Sequence, residues 1–412
     1  MTRISPLFLA AAITLLATIS TAQSNREPPS TGLHSLFVTA GKLYFGTATE
    51  INNLDDPTYQ NILSNPLEFG QQTPENSQKW GLIQPNPGGF SFNSPDRIAD
   101  LSNSYGHLLR CHTLTWHSQL PPFVSTTAWT PDMLRQLITT HITAVVSHFG
   151  AACYAWDVVN EALNENGTLR NSVFFEVLGE GYIAHSFRVA AEVAPPQMKL
   201  YYNDFNLETA PEKQTAAVEL VKSLQAQGVR IDGVGLQAHF TVGQTPSLKS
   251  LIATLKRFTE LGVDVAWTEL DVAHEDVENA SELAVEQQAK DYVAAVRACV
   301  EVERCVGVTV WQFTDRYSWV PGTFPGKGGA CLWTDEYQRK PAYWAVKGFL
   351  EGWVAKTNST EASAGANGTT ATTAAGGRGT LTGVTSGSQR LIESSIRVGL
   401  VSVGVWLVLN MM

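Results

Sequence analysis

Between about Leu33 and Val354 the chain repeats one pattern eight times, a short apolar run followed by a longer amphipathic stretch. The runs are Leu43–Thr49, Leu67–Gln72, Leu108–Leu114, Tyr154–Val159, Lys199–Phe205, Gly233–His239, Val263–Leu270 and Val306–Phe313. They are rich in Val, Tyr, Leu and Trp and too short for stable helices, the pattern of parallel strands buried on both faces. The stretches between them carry helix-start signals. Thr130–Phe149 opens on Thr-Pro-Asp, and Pro211–Gln227 opens on proline just after a strand loop. Alternation of this kind over about 320 residues predicts an α/β fold, a (β/α)8 TIM barrel, as one domain spanning 33–354. An open doubly wound sheet is the competing architecture, but no glycine-rich phosphate loop follows the first run.

Nearly every run ends in side chains that are costly to bury. Glu75-Asn76 lie just past the second run, and His112 lies on the third with His117 past it. Asn160-Glu161 close the fourth, Asn203-Asp204 the fifth, Gln237 and His239 the sixth, Glu269 and Asp271 the seventh, and Trp311 and Asp315 the eighth. On a barrel these groups converge at the C-terminal mouth, where barrel enzymes keep their chemistry. Glu161 and Glu269 end the fourth and seventh runs, which lie across such a barrel from one another. Glycoside hydrolysis needs a pair like this, one carboxyl to protonate the leaving oxygen and one carboxylate to attack the anomeric carbon. The plainer reading, a buried ion pair for each glutamate, finds no Arg or Lys beside either motif.

The segments Thr73-Pro-Glu-Asn-Ser-Gln-Lys-Trp80, His112-Thr-Leu-Thr-Trp-His-Ser-Gln-Leu-Pro121, Trp156-Asp-Val-Val-Asn-Glu161, Tyr202-Asn-Asp-Phe-Asn206, Gly235-Leu-Gln-Ala-His239 and Thr268-Glu-Leu-Asp271 follow in order, then Trp311 and Asp315-Arg-Tyr-Ser-Trp319. Together they resemble glycoside hydrolase family 10, the endo-1,4-β-xylanases on (β/α)8 barrels. The resemblance covers about Leu33 to Val354. It implies a retaining hydrolase of xylan that needs no cofactor and no metal, with Glu161 as acid/base and Glu269 as nucleophile. Asn160 would bond the sugar 2-hydroxyl, His239 would hold Glu269 and be oriented by Asp271, and Gln237 would orient the pair. Glu75, Asn76, Lys79, His112, Trp116 and Gln119 would line the glycone subsites, while Phe205, Trp311 and Trp319 would offer faces to pyranose rings. Four residues depart from the family pattern. Cys111 and Gln312 stand where glycine is usual, Phe205 where tyrosine is, and Gln78 where methionine is. His117 and Asp204 are equally well read as hydrogen-bonded scaffold or as substrate contacts. Trp80, Trp156, Trp267 and Trp344 read as core, and His141, His148 and His185 fall in predicted helices without an assigned role.

A transglycosylase or endoglucanase of the cell surface is the alternative within catalysis, and a non-catalytic carbohydrate-binding barrel the alternative outside it. The net charge of −10 and the absence of a Lys/Arg cluster exclude nucleic acid as a natural partner. The two ends of the chain carry targeting signals. Residues 1–22 pair a basic start with an apolar core and a small-residue cleavage site, a secretory signal. The 355–388 stretch is a Ser/Thr/Gly/Ala-rich linker expected to be disordered. After it, 389–412 reads as a glycosylphosphatidylinositol attachment signal with its site among Ser386, Gly387 and Ser388, or as a tail anchor. A lipid anchor would then be the sole link to a membrane, and the domain itself is expected to be a monomer. Secretion permits disulfides. Of the five cysteines, Cys299 and Cys305 flank a charged turn and are the best pair, leaving an odd number. Asn166, Asn279, Asn358 and Asn367 open glycosylation sequons.

Overall fold

The computed structural model describes residues 31–366; the 1–22 and 389–412 signals and residues 367–388 of the expected linker lie outside them. Within that range the runs form strands β1 (Tyr44–Thr49), β2 (Gln71–Pro74), β3 (Leu108–Trp116), β4 (Cys153–Asn160), β5 (Lys199–Asp204), β6 (Gly233–Leu236), β7 (His239–Thr241), β8 (Asp264–Ala273) and β9 (Cys305–Val310). All pairings are parallel. The sheet runs β6-β5-β4-β3-β2-β1-β9-β8, and β6 closes onto β8 through Val234 opposite Val265. This is the closed eight-stranded barrel that the alternation predicts. β7 is a short extra piece that pairs with β8 alone, His239 opposite Asp271.

The helices form an outer layer, each held by an apolar stripe against the strands. In Pro131–Phe149, Thr130 caps the first turn by accepting the Met133 N–H, and Pro131 sits where its missing donor is harmless. Leu134, Ile138, Ile142, Val145 and Phe149 are buried along one side of it. Each such side chain contributes about 1.5–3 kcal/mol by leaving water. Serines cap Leu248–Thr259 and Glu282–Glu301 in the same way. The final helix, Pro341–Ala366, continues past the Val354 boundary expected for the domain. No helix among the described residues is long and apolar enough to cross a membrane.

Two strands differ from expectation, for reasons that lie inside the barrel. The second begins at Gln71 rather than Leu67, because Leu67 to Phe69 belong to the turn that leads in; Phe69 packs on Phe313 and Trp333 instead. The polar Gln71 is wholly buried, yet it accepts from Thr309 Oγ1 at 2.6 Å and donates to Thr73 Oγ1 at 2.7 Å. The sixth run breaks at Gln237-Ala238, where Ala238 adopts φ +61 and splits β6 from β7. The barrel interior also holds large side chains that only glycines can accommodate. A Cβ on Gly235 would sit 2.2 Å from Asn203 Oδ1, and one on Gly233 equally close to the Tyr201 ring.

Cys299 bonds Cys305 across the turn before β9, and Cys111 on β3 bonds Cys153 at the start of β4. The odd thiol is Cys331, which is buried. Cys111 also meets a second departure from the family pattern. Gln78 Nε2 lies 3.3 Å from its sulfur, while Gln78 Oε1 accepts the His112 N–H at 3.0 Å. Trp80, Trp156 and Trp267 are core, whereas Trp344 is only partly buried. His141 is fully buried against the Trp80 ring at 3.7 Å, and burial pushes its pKa down to about 3.

Candidate active site

Because every strand is parallel, all the strand ends face one way, and a cleft of about 750 Å³ opens there. Glu75, Asn76, Lys79, His112, Trp116, Gln119, Asn160, Glu161, Phe205, Gln237, His239, Glu269, Asp271, Trp311 and Trp319 all line it. Strained backbone gathers at the same place. Gln119, Glu161, Ala238 and Gln312 have φ between +49 and +70, a region that costs a residue with a Cβ about 1–2 kcal/mol.

The two glutamates are cross-braced by two amides. Asn203 accepts the Glu161 N–H on its backbone carbonyl at 2.9 Å and donates Nδ2 to Glu269 Oε1 at 2.8 Å. Gln237 mirrors this: its carbonyl accepts the Glu269 N–H at 3.0 Å, and its Nε2 donates to Glu161 Oε1 at 3.0 Å. Each amide thus holds one acid by its main chain and the other by its side chain. Thr268 Oγ1 donates to Asn203 Oδ1 at 2.7 Å, which turns the amide nitrogen toward Glu269. The Asn160 side-chain amide lies 2.9 Å from that same nitrogen.

The surroundings of the two carboxylates differ. Glu161 Oε2 accepts from Trp116 Nε1 at 2.8 Å, so all its side-chain partners are neutral. Glu269 Oε2 lies 3.3 Å from His239 Nε2, and His239 Nδ1 lies 3.0 Å from Asp271 Oδ1. Burial opposes charge on that imidazole, but Asp271 and Glu269 outweigh it and push its pKa up to about 10. Burial would also raise Glu269; the His239 hydrogen bond, the nearby His112 ring and Asn203 together hold it below the usual carboxylate range. Trp319 Nε1 donates to Asp271 Oδ2 at 2.7 Å, and its ring packs 4.8 Å from His239. At the opposite end His112 Nδ1 meets Asp157 Oδ2 at 2.9 Å, and Asp157 is also paired with the buried Arg110. Lys79 Nζ bonds Asn76 Oδ1 at 3.0 Å and stands 4.7 Å over the Trp116 ring. Burial raises Glu75 to about 7.

A family model described as glycosyl hydrolase family 10 matches residues 32–349. The chain belongs to glycosyl hydrolase family 10. It is 50% identical over 355 residues to endo-1,4-beta-xylanase 5 of Pyricularia oryzae, covering 85% of this chain and 87% of that one. Endo-1,4-beta-xylanase D of Talaromyces funiculosus is 47% identical, with 82% of each chain covered. Among solved structures, the endo-1,4-beta-xylanase XylE of Penicillium canescens superposes with a TM-score of 0.76 at 41% identity, covering 78% of this chain and 98% of that one. A family 10 xylanase from Bispora sp. MEY-1, solved with xylobiose, gives 0.75 at 40% identity over 77% and 99%.

Some parts of this family 10 site escape sequence reasoning. Asn203 was placed at a strand end without a role; its period-two spacing from the inward-facing Tyr201 is the signal that puts it inside the barrel. Glu50 accepts the N–H groups of Asn76 and Ser77 at 2.7 and 2.9 Å and so shapes the loop that carries Glu75. Phe324 and Lys327 come from a loop without periodicity and complete the cleft beside Trp319. His117 and Asp204 do not line the cleft. Asp204 is buried, with Lys213 Nζ at 2.9 Å and the Tyr202 hydroxyl as partners. Phe205 does line it, with Lys213 Nζ 3.5 Å from the ring centre.

Proposed function

We propose that the chain is an endo-1,4-β-xylanase that hydrolyses xylan with retention of configuration. Glu269 attacks the anomeric carbon and forms the glycosyl-enzyme; Glu161 protonates the departing glycosidic oxygen and then takes a proton from the incoming water. The observation that carries this reading is the reciprocal bracing by Asn203 and Gln237, which couples two acids from opposite strands as one unit. His239, kept protonated by Asp271, holds Glu269 as an anion ready to attack. Glu161 is met instead by two neutral donors, Trp116 and Gln237, with no cationic partner on its carboxylate among the described residues. Asn160 reaches the 2-hydroxyl at the reacting sugar. Glu75, Asn76, Lys79, His112, Trp116 and Gln119 take hydroxyls of the glycone, while Phe205, Trp311 and Trp319 stack on ring faces.

A secreted monomer suits this activity. The cleft is built from one chain, and the two disulfides suit an oxidising compartment. The signal at 1–22 would direct export, and 389–412 would place the enzyme on the cell surface through a lipid anchor. Glu269→Gln is expected to abolish turnover of xylan while xylo-oligosaccharide binding persists, measured by reducing-sugar release and calorimetry. A variant that hydrolyses at the wild-type rate sinks the assignment. Sized products from xylan, cellulose and β-glucan separate a xylanase from an endoglucanase or a transglycosylase.

A further inference from the structure

Gln312 follows Trp311 at the end of β9 and is 1% exposed. Its φ of +70 suits glycine, so a side chain is kept there against steric cost. The side chain is fully engaged. The Tyr59 hydroxyl, 3.0 Å from Thr49 Oγ1, donates to Gln312 Oε1 at 2.9 Å. With its oxygen so occupied, the amide must present Nε2 to the other side, where it donates to Glu75 Oε1. Tyr59 is itself buried and stacked on Phe313 at 4.6 Å, so this tether rests on a rigid base. Glu75 is anchored a second time by its backbone N–H on the Thr49 carbonyl at 3.0 Å.

We infer that Gln312 is a specificity-determining positioning residue. It fixes the Glu75 carboxylate by occupying Oε1 and leaves Oε2 as the acceptor offered to a glycone hydroxyl. Oε2 accepts no hydrogen bond from another described residue, which fits an atom reserved for substrate. The inference rests on the xylanase reading, in which Glu75 binds a sugar beyond the one being transferred. Gln312 therefore acts on how firmly a longer glycone is held and leaves the chemistry to Glu161 and Glu269. Its hydrogen bond also counters the burial that favours the protonated form of Glu75. Without that bond, Glu75 would keep its proton to higher pH and lose its power to accept.

The test compares wild type, Gln312→Gly and Gln312→Glu on an aryl β-xyloside and an aryl β-xylobioside. Gln312→Gly relieves the backbone, so folding is not its weak point; Gln312→Glu keeps the shape but replaces the donor by a second carboxyl. For Gln312→Gly, KM for the xylobioside should rise about five- to tenfold, the size of one lost hydrogen bond, with little change in kcat. KM for the xyloside should move far less, and the acid limb of the xylobioside profile should shift to higher pH. Gln312→Glu should raise the xylobioside KM further, most at pH 8 and least at pH 5. Equal effects on both substrates, or none on the xylobioside, overturn the inference. A wild-type enzyme that cleaves neither substrate instead overturns the xylanase reading beneath it.

Discussion

At the scale of single residues the site is a set of acids whose positions are fixed by amides. The Asn203 side chain serves Glu269 and Asn160 together, so its loss should cost more than the loss of one contact, while the main-chain carbonyl that accepts the Glu161 N–H stays in place. Asn203→Ala should lower kcat/KM on xylo-oligosaccharides by about 10- to 100-fold, the range for a group that orients a reacting one. It also leaves the buried Thr268 hydroxyl without its acceptor. Stopped assays on a series of xylo-oligosaccharides check this, and a loss below twofold would show that the Asn203 amide does not orient Glu269. Glu161, Glu269, His239 and Asp271 were legible because each ends an apolar run, where a polar side chain is conspicuous. Asn203 was legible only as a position. Its amide makes contacts with residues 43 and 66 positions away, and no spacing encodes those. Gln312 showed up as an odd residue after Trp311, but its partners Tyr59 and Glu75 lie more than 230 residues away in sequence.

At the scale of elements, the strands that could be read from the sequence are those in which apolar residues dominate, such as β9 with Val306, Val308 and Val310. β2 could be placed only approximately, as Leu67–Gln72, because its Gln71 and Gln72 are buried by hydrogen bonds that only the closed barrel supplies. The break after β6 was equally hidden, since nothing about alanine announces a left-handed turn at Ala238. Pairing of Cys111 with Cys153 was missed for the same reason: it needs β3 and β4 to be neighbours with Cα atoms 5.8 Å apart. That bridge spans 42 residues and the Cys299–Cys305 bridge only 6. In the chain-entropy account, bridges of these spans contribute about 4 and about 2 kcal/mol. Replacing Cys111 and Cys153 by serine should therefore lower the unfolding free energy by roughly twice as much as replacing Cys299 and Cys305. Guanidinium titrations of the two double variants test the ranking, and the reverse order defeats it.

For the whole molecule, the buried ionisable groups set the pH at which the barrel is most stable. Glu208 is buried and accepts the Ala238 N–H at 2.9 Å, at the turn between Gln237 and His239. Burial raises its pKa from 4.5 to about 7, as it does for Glu75. An acid whose folded pKa lies above its unfolded value favours the fold fully below about pH 4 and loses that advantage as pH rises through about 7. His239 acts in the same direction at higher pH, with its contribution present below 6.5 and lost as pH climbs toward about 10. Asp157 and Glu269 oppose them, and so do His141 and His107, whose burial lowers their pKa to about 3 and about 4 and whose contribution is lost as pH falls below 6.5. Burial alone would raise both carboxyls, but Arg110 and His112 hold Asp157 low, and His239 helps hold Glu269 low. The contribution of these two carboxylates is present at neutral pH and fades as pH falls below about 4. The net charge of −10 at pH 7 adds self-repulsion that weakens toward the pI of 5.4. The melting temperature should therefore peak near pH 6 and decline to pH 9, as scanning calorimetry across that range would record. Glu208→Gln keeps the acceptor for Ala238 without the titration, so it should flatten the fall between pH 6 and 8. A maximum at pH 8 or above, or an unaltered slope in that variant, would mean that these buried acids do not govern the stability of the fold.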